Sequence, residues 1–107
     1  MRRGDLVTVA LQGDYGKPRP ALVLQSDLFA DLVSVTILPI TSEARDVPLL
    51  RIPVEPSADN GLRQRSEIMI DKAQTVARDK IGGAIGRLDD RTMLMVNRSL
   101  ALFLGLA

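Results

Sequence analysis

The chain has 107 residues, 46% hydrophobic and 25% charged, which is the composition of one ordinary globular domain spanning residues 1–107 and not of a disordered chain. Fourteen Lys and Arg against thirteen Asp and Glu leave a net charge of +1. That excludes a histone-like polycation but not a nucleic-acid partner, because eleven of the cations are arginines, whose planar fork suits phosphate.

Neither Cys nor His occurs. Disulfide staples, thiolate zinc sites, thiol nucleophiles and imidazole acid–base chemistry are therefore excluded. No apolar run has the length of a signal peptide or a bilayer span, so a soluble cytoplasmic protein is expected.

In chain order, residues 6–11 (LVTVAL) read as a short β-branched strand, followed by a turn-rich loop over 12–18. Residues 21–25 (ALVLQ) form a second strand, with Pro20 at its first position, where the missing donor costs little. The run over 32–40 is apolar enough to predict a strand buried on both faces. Residues 41–46 are polar and predict a loop. The run over 47–54 contains Pro48 and Pro53, so it predicts an edge strand. Residues 55–61 are the clearest break, with a turn at Asn60-Gly61.

Residues 66–76 predict one strand with Glu67, Met69 and Asp71 on its polar face. Residues 81–87, with three glycines, predict a bent strand or connector. From Asp89 the apolar positions Met93, Val96, Leu100, Phe103 and Leu104 recur at the spacing of one helix face. Asp89 or Asp90 suits the N-cap, and Gly105 the stop. Leu94, Met95, Leu102 and Leu106 lie off that stripe, so the helix has a second apolar face suited to a partner subunit. Several short strands and one terminal helix predict a small antiparallel β-barrel closed by that helix.

Few local features carry chemistry by themselves. Gly82, Gly83 and Gly86 lack the spacing of a phosphate loop, and Asp89-Asp90 reads as a helix cap. Lys17 and Arg19 are held between prolines, which presents charge with little entropy to lose. Thr41 follows the buried third strand as a turn residue would. Asp71 stands where an ion-pair partner of Lys72 would stand.

In combination these blocks resemble the MazF/PemK (Kid) toxins. The blocks are Arg3-Gly4-Asp5-Leu6-Val7, then Gly16-Lys17-Pro18-Arg19-Pro20 running into Ala21–Asp27, then Pro39-Ile40-Thr41-Ser42. Asn60-Gly61-Leu62-Arg63, Asp71 through Val76 and Gly86-Arg87-Leu88-Asp89 complete the order. The resemblance implies an SH3-like barrel, a homodimer and a metal-independent, sequence-specific endoribonuclease acting on single-stranded RNA without a cofactor. It also implies an antitoxin whose extended acidic tail covers the RNA groove.

Carried over by position, the catalytic residues are Arg19, Thr41 and Asp71, with Lys17, Arg63 and Arg65 beside Arg19 as RNA-binding cations. Met69 stands where some members carry an arginine, so the electrostatic role falls to Arg19, assisted by Lys17 or Arg63. The chemistry fits these residue types. A guanidinium is a poor proton donor but binds two phosphate oxygens at once, a threonine hydroxyl can donate to the same phosphate, and a carboxylate can take the 2′-hydroxyl proton. Tyr15, Phe29 and Phe103 are the available stacking rings. Two other readings share the fold class: a gyrase poison of the CcdB type, whose C-terminal Trp this chain lacks, and a non-catalytic SH3-like binding module.

Overall fold

The structure, a computed structural model, describes residues 1–11 and 17–107. Residues 12–16 of the expected turn-rich loop, Tyr15 among them, lie outside the described residues, while Pro18, expected in that loop, opens a strand. The strands are β1 (Asp5–Ala10), β2 (Pro18–Val23), β3 (Ser34–Thr41), β4 (Arg51–Val54), β5 (Ser66–Met69), β6 (Gln74–Ala77) and β7 (Ile81–Arg87), followed by the helix α1 (Asp90–Phe103). Short 3-10 turns occupy Asp27–Phe29, Ile70–Lys72 and Arg78–Lys80. The sheet is antiparallel in the order β4-β5-β3-β2-β1-β7, with β6 also on β3. The mainly β architecture with a C-terminal helix is the one expected.

Alternation along the strands divides the core in two. Leu6 pairs with Leu22 and Leu22 with Leu38, while Ile40 pairs with Ile68 and Ile68 with Ile52. These side chains share one face and pack with Met93, Val96 and Leu100 of the helix. On the other face Val7, Val9, Ala21, Val23, Val35 and Ile37 form a second cluster. β3 contributes to both, as its largely apolar run predicts. Fully burying a side chain of this size is worth about 1.5–3 kcal/mol, so both faces hold β3 in register.

Among the described residues β4 and β7, the two ends of the sheet path, do not pair. Backbone contact bridges them instead. The Arg87 N–H donates to the Asp59 carbonyl at 2.8 Å, which lays the β4–β5 loop on β7. This approach requires glycine on both sides. A Cβ on Gly61 (φ +70°) would stand 2.0 Å from the Ile85 carbonyl oxygen, and one on Gly86 would stand 2.3 Å from the Asn60 carbonyl carbon. Buried Asn60 organises the same loop, accepting from Ser57 N and Leu62 N and donating to the Glu55 carbonyl.

Several sequence expectations need correction. The second strand runs over Pro18–Val23 rather than 21–25, which puts Pro20 inside it. The strand expected over 66–76 is two strands, both on β3. Between the pairs Ile40↔Ile68 and Ile37↔Gln74 the β5–β6 side holds three more residues than β3, and the 3-10 turn Ile70–Lys72 absorbs them. Asp71 is therefore in a turn, not on a strand. Leu32 and Val33 precede β3 and are exposed; the Arg78 side chain donates to the Ala30 and Leu32 carbonyls and the Arg78 N–H to the Val33 carbonyl, which ties this segment to the end of β6. β4 keeps only residues 51–54 of the expected 47–54.

The helix starts as expected. Asp89 is its N-cap, accepting from Thr92 N at 3.1 Å and from the Thr92 hydroxyl at 2.7 Å. The Thr92 hydroxyl first, and then the Thr92 N–H, hold the Asp89 carboxyl below its ordinary value. Phe103 and Leu104, expected on the buried stripe, are exposed with Leu94, Met95, Leu102 and Leu106. Among the described residues no helix is long and apolar enough to cross a membrane.

Candidate functional site

The polar end of the second sheet face carries the site. β2 and β3 pair through Ala21↔Pro39, and continuing that antiparallel register by two residues sets Arg19 opposite Thr41. Directly opposed residues on neighbouring strands share a face, with Cβ atoms about 4.5–5.5 Å apart. Pro18 and Pro20 flank Arg19 and fix its backbone. Arg19 and Thr41 both line a cleft of about 600 Å³, whose apolar floor includes Leu11, Pro39 and Ile40.

The state of Thr41 is specific. Its Oγ1 accepts from the Glu43 N–H at 3.1 Å, so the turn role expected of a lone threonine is real. That contact uses an oxygen lone pair and leaves the hydroxyl hydrogen for a ligand oxygen. The loop that follows is anchored by Glu67, the cross-strand partner of Thr41. Its Oε1 accepts from the Arg45 N–H at 3.1 Å, and its Oε2 lies 3.7 Å from Arg65 Nη1. These partners explain how a residue expected on a polar face is only 6% exposed: a carboxylate is tolerated inside when paired and hydrogen-bonded.

The remaining expected residues are distributed unevenly. Arg63 lines a second hollow of about 400 Å³ that shares Arg19, Ile40 and Ser42 with the cleft, so Arg19 stands between two basins. Lys17 is exposed at the start of β2. Arg65 is directed to Glu55 (3.0 Å) and Glu67 and lines neither hollow. Asp71 does not line the cleft either, although Met69 and Lys72 do. Its Oδ1 is buried without a hydrogen-bond partner among the described residues, and its Oδ2 lies 3.5 Å from Lys72 Nζ. Phe29 and Phe103 are exposed but away from the cleft.

Four charged residues at the cleft were not singled out in the sequence: Glu43, Arg45, Arg51 and Lys72. Arg45 sits in a polar loop with no local signal. Arg51 enters the cleft only because β4 pairs with β5, which sets it beside Met69. With Arg19, the cleft carries four cations, and Glu43 is its one carboxylate among the described lining residues. A concave, strongly cationic site with a hydroxyl donor on a rigid strand suits a phosphodiester.

Comparison with known proteins defines the class of this fold and site. The family of PemK-like, MazF-like toxins of type II toxin–antitoxin systems matches residues 2–104, and the chain belongs to that family. A probable endoribonuclease MazF of Mycolicibacterium smegmatis is 47% identical over 108 residues, covering 100% of this chain and 99% of that protein. Among solved structures, the Mycobacterium tuberculosis toxin MazF-mt6 matches with a TM-score of 0.83 at 28% identity, over 96% of this chain and 98% of that one. A mycobacterial endoribonuclease in complex with its cognate antitoxin shares the fold, with a TM-score of 0.83 at 24% identity over 100% and 97% of the two chains.

Proposed function

We propose that this chain is a toxin that cleaves single-stranded RNA, without a metal ion, in the cleft lined by Arg19 and Thr41. The observation that carries the reading is the convergence of a proline-fixed arginine and a strand-end threonine in one cationic cleft. The 47% identity to a probable endoribonuclease supports it.

In this reading the RNA supplies its own nucleophile. The 2′-oxygen attacks the adjacent phosphorus, the P–O5′ bond breaks, and the products are a 2′,3′-cyclic phosphate and a 5′-hydroxyl. Arg19 grips two non-bridging oxygens and offsets the charge that grows on them during attack. The Thr41 hydroxyl donates to the same phosphate. The 2′-hydroxyl proton goes to a carboxylate, and the leaving 5′-oxygen takes a proton from water.

Of the two carboxylates in this corner, Glu43 lines the cleft and Asp71 does not. We assign proton acceptance to Glu43, and to Asp71 the counter-charge that orients Lys72. Lys17 and Arg63 extend the phosphate track on either side of Arg19, while Arg65 braces Glu67.

Two partners belong to the proposal. A solved relative is held by its cognate antitoxin, and a cationic cleft suits an extended acidic segment in place of RNA. The exposed Leu94, Met95, Leu102, Phe103, Leu104 and Leu106 fit a homodimer built in part through the helix. The setting is the cytoplasm, where RNA is the substrate. The test is incubation of the purified protein with single-stranded RNA in EDTA. Cleavage leaving 5′-hydroxyl ends is expected, and intact RNA overturns the reading.

A further inference from the structure

The cleft holds more cation than one phosphate can engage. Arg51 and Lys72 stand across it from Arg19, on β4 and on the 3-10 turn after β5. Residues two apart on a strand share a face. β5 pairs Glu67 with Thr41 and Met69 with Arg51, so Arg51 lies on the same face as Thr41. Strands are spaced about 4.8 Å apart, which separates the backbones of Arg19 on β2 and Arg51 on β4 by roughly 14 Å over three steps. Arg19 thus stands one strand from Thr41 and Arg51 two strands from it on the other side, so the cations spread across the cleft over more than the width of one phosphate.

Arg51 is half-buried on a rigid strand, and among the described residues its guanidinium has no ion-pair or hydrogen-bond partner. Lys72 is more exposed, with Asp71 holding its ammonium at 3.5 Å. A partly desolvated arginine with no counter-charge is costly unless an anion completes it.

We propose that Arg51 and Lys72 hold a second RNA phosphate, next to the one between Arg19 and Thr41, and so fix the position of the strand in the cleft. The proposal rests on the cleft being an RNA site. Arg51 and Lys72 are positioning residues, which bind the strand and take no part in the bond change. The fork of Arg51 fixes the orientation of that phosphate, and Lys72 adds a point charge.

The probe is a labelled 2′-O-methyl hexanucleotide pool of mixed sequence, which binds but cannot be cleaved. Each phosphate contact to a single strand contributes about 0.7 to the slope of log affinity against log salt. Removing both cations in Arg51→Met/Lys72→Met should lower the slope by about 0.7, and each single replacement by part of that, while Arg51→Lys retains it. With cleavable RNA, Arg51→Met should raise KM about tenfold with kcat within about twofold, as loss of uniform binding does. A dinucleotide substrate has one phosphate, so wild type and Arg51→Met should cleave it equally.

An unchanged slope in the double variant and an unchanged KM in Arg51→Met overturn the proposal. Equal losses on dinucleotide and longer RNA also overturn it, since they assign Arg51 to the scissile phosphate or to the fold. If wild type leaves RNA intact in EDTA while the slope still falls, the second phosphate site stands and the cleavage reading fails.

Discussion

Replacing Thr41 by Val removes one hydroxyl and keeps a branched side chain suited to a strand end. Two contacts are at stake, and they act on different quantities. The hydroxyl oxygen accepts from Glu43 N, a partly exposed turn contact worth about 0.5–1.5 kcal/mol of stability. For a domain of this size that corresponds to a fall in Tm of about 4–8 °C per kcal/mol. The hydroxyl hydrogen is assigned to a phosphate oxygen, and a hydrogen bond to a charged group contributes about 1.5–3 kcal/mol. Lost only in the transition state, that amount lowers the cleavage rate by roughly 10- to 150-fold.

Single-turnover cleavage of an RNA oligonucleotide, beside a thermal melt of the same preparation, separates the two. Thr41→Val should melt a few degrees lower and cleave at least about tenfold more slowly. Thr41→Ser should recover most of both. A Thr41→Val protein that loses stability but cleaves at the wild-type rate would reduce Thr41 to a turn residue and refute the assignment.

Further outcomes follow from the same geometry. Glu43→Gln should slow cleavage and flatten the acid side of the pH–rate profile, whereas Asp71→Asn should keep that profile and raise KM through Lys72; the reverse pattern would return the base to Asp71. Asp89→Ala should cost about 1 kcal/mol of stability through the lost N-cap, measured by urea unfolding. The Asp89 carboxyl lies below its unfolded value of 3.8, so its charged form stabilises the fold above that pH and the contribution fades as pH falls through the folded value. The gap between wild type and Asp89→Asn, which keeps a cap without titrating, should therefore narrow in acid and stay constant near neutrality.

The parts of the fold that depend on local pattern were legible in the sequence. The apolar run ending at Ile40 gave a strand buried on both faces, and Met93, Val96 and Leu100 gave the buried stripe of the helix. What was lost depends on distant partners. Val33 looks like strand but is 86% exposed and stands just before β3, where Arg78, far along the chain, donates to its carbonyl. The break at Ile70–Lys72 is invisible as pattern, since buried Ile70 continues the alternation until the register with β3 shows three extra residues.

The site follows the same rule. Arg19 and Thr41 stood out through family resemblance, and their opposition comes from the β2–β3 register. Arg51 carries no local signal and reaches the cleft through its pairing with Met69. Glu67 reads as surface polar and is buried because Arg45 and Arg65 bring its partners.

The central claim is that Arg19 stabilises the phosphate as it gains charge. The most direct measurement is the single-turnover cleavage rate and RNA affinity of Arg19→Ala in EDTA, with Arg19→Lys beside it. The rate should fall roughly a hundredfold or more, with a smaller loss of affinity, and Lys should restore it only in part because an ammonium lacks the bidentate fork. Cleavage by Arg19→Ala at the wild-type rate would contradict the account.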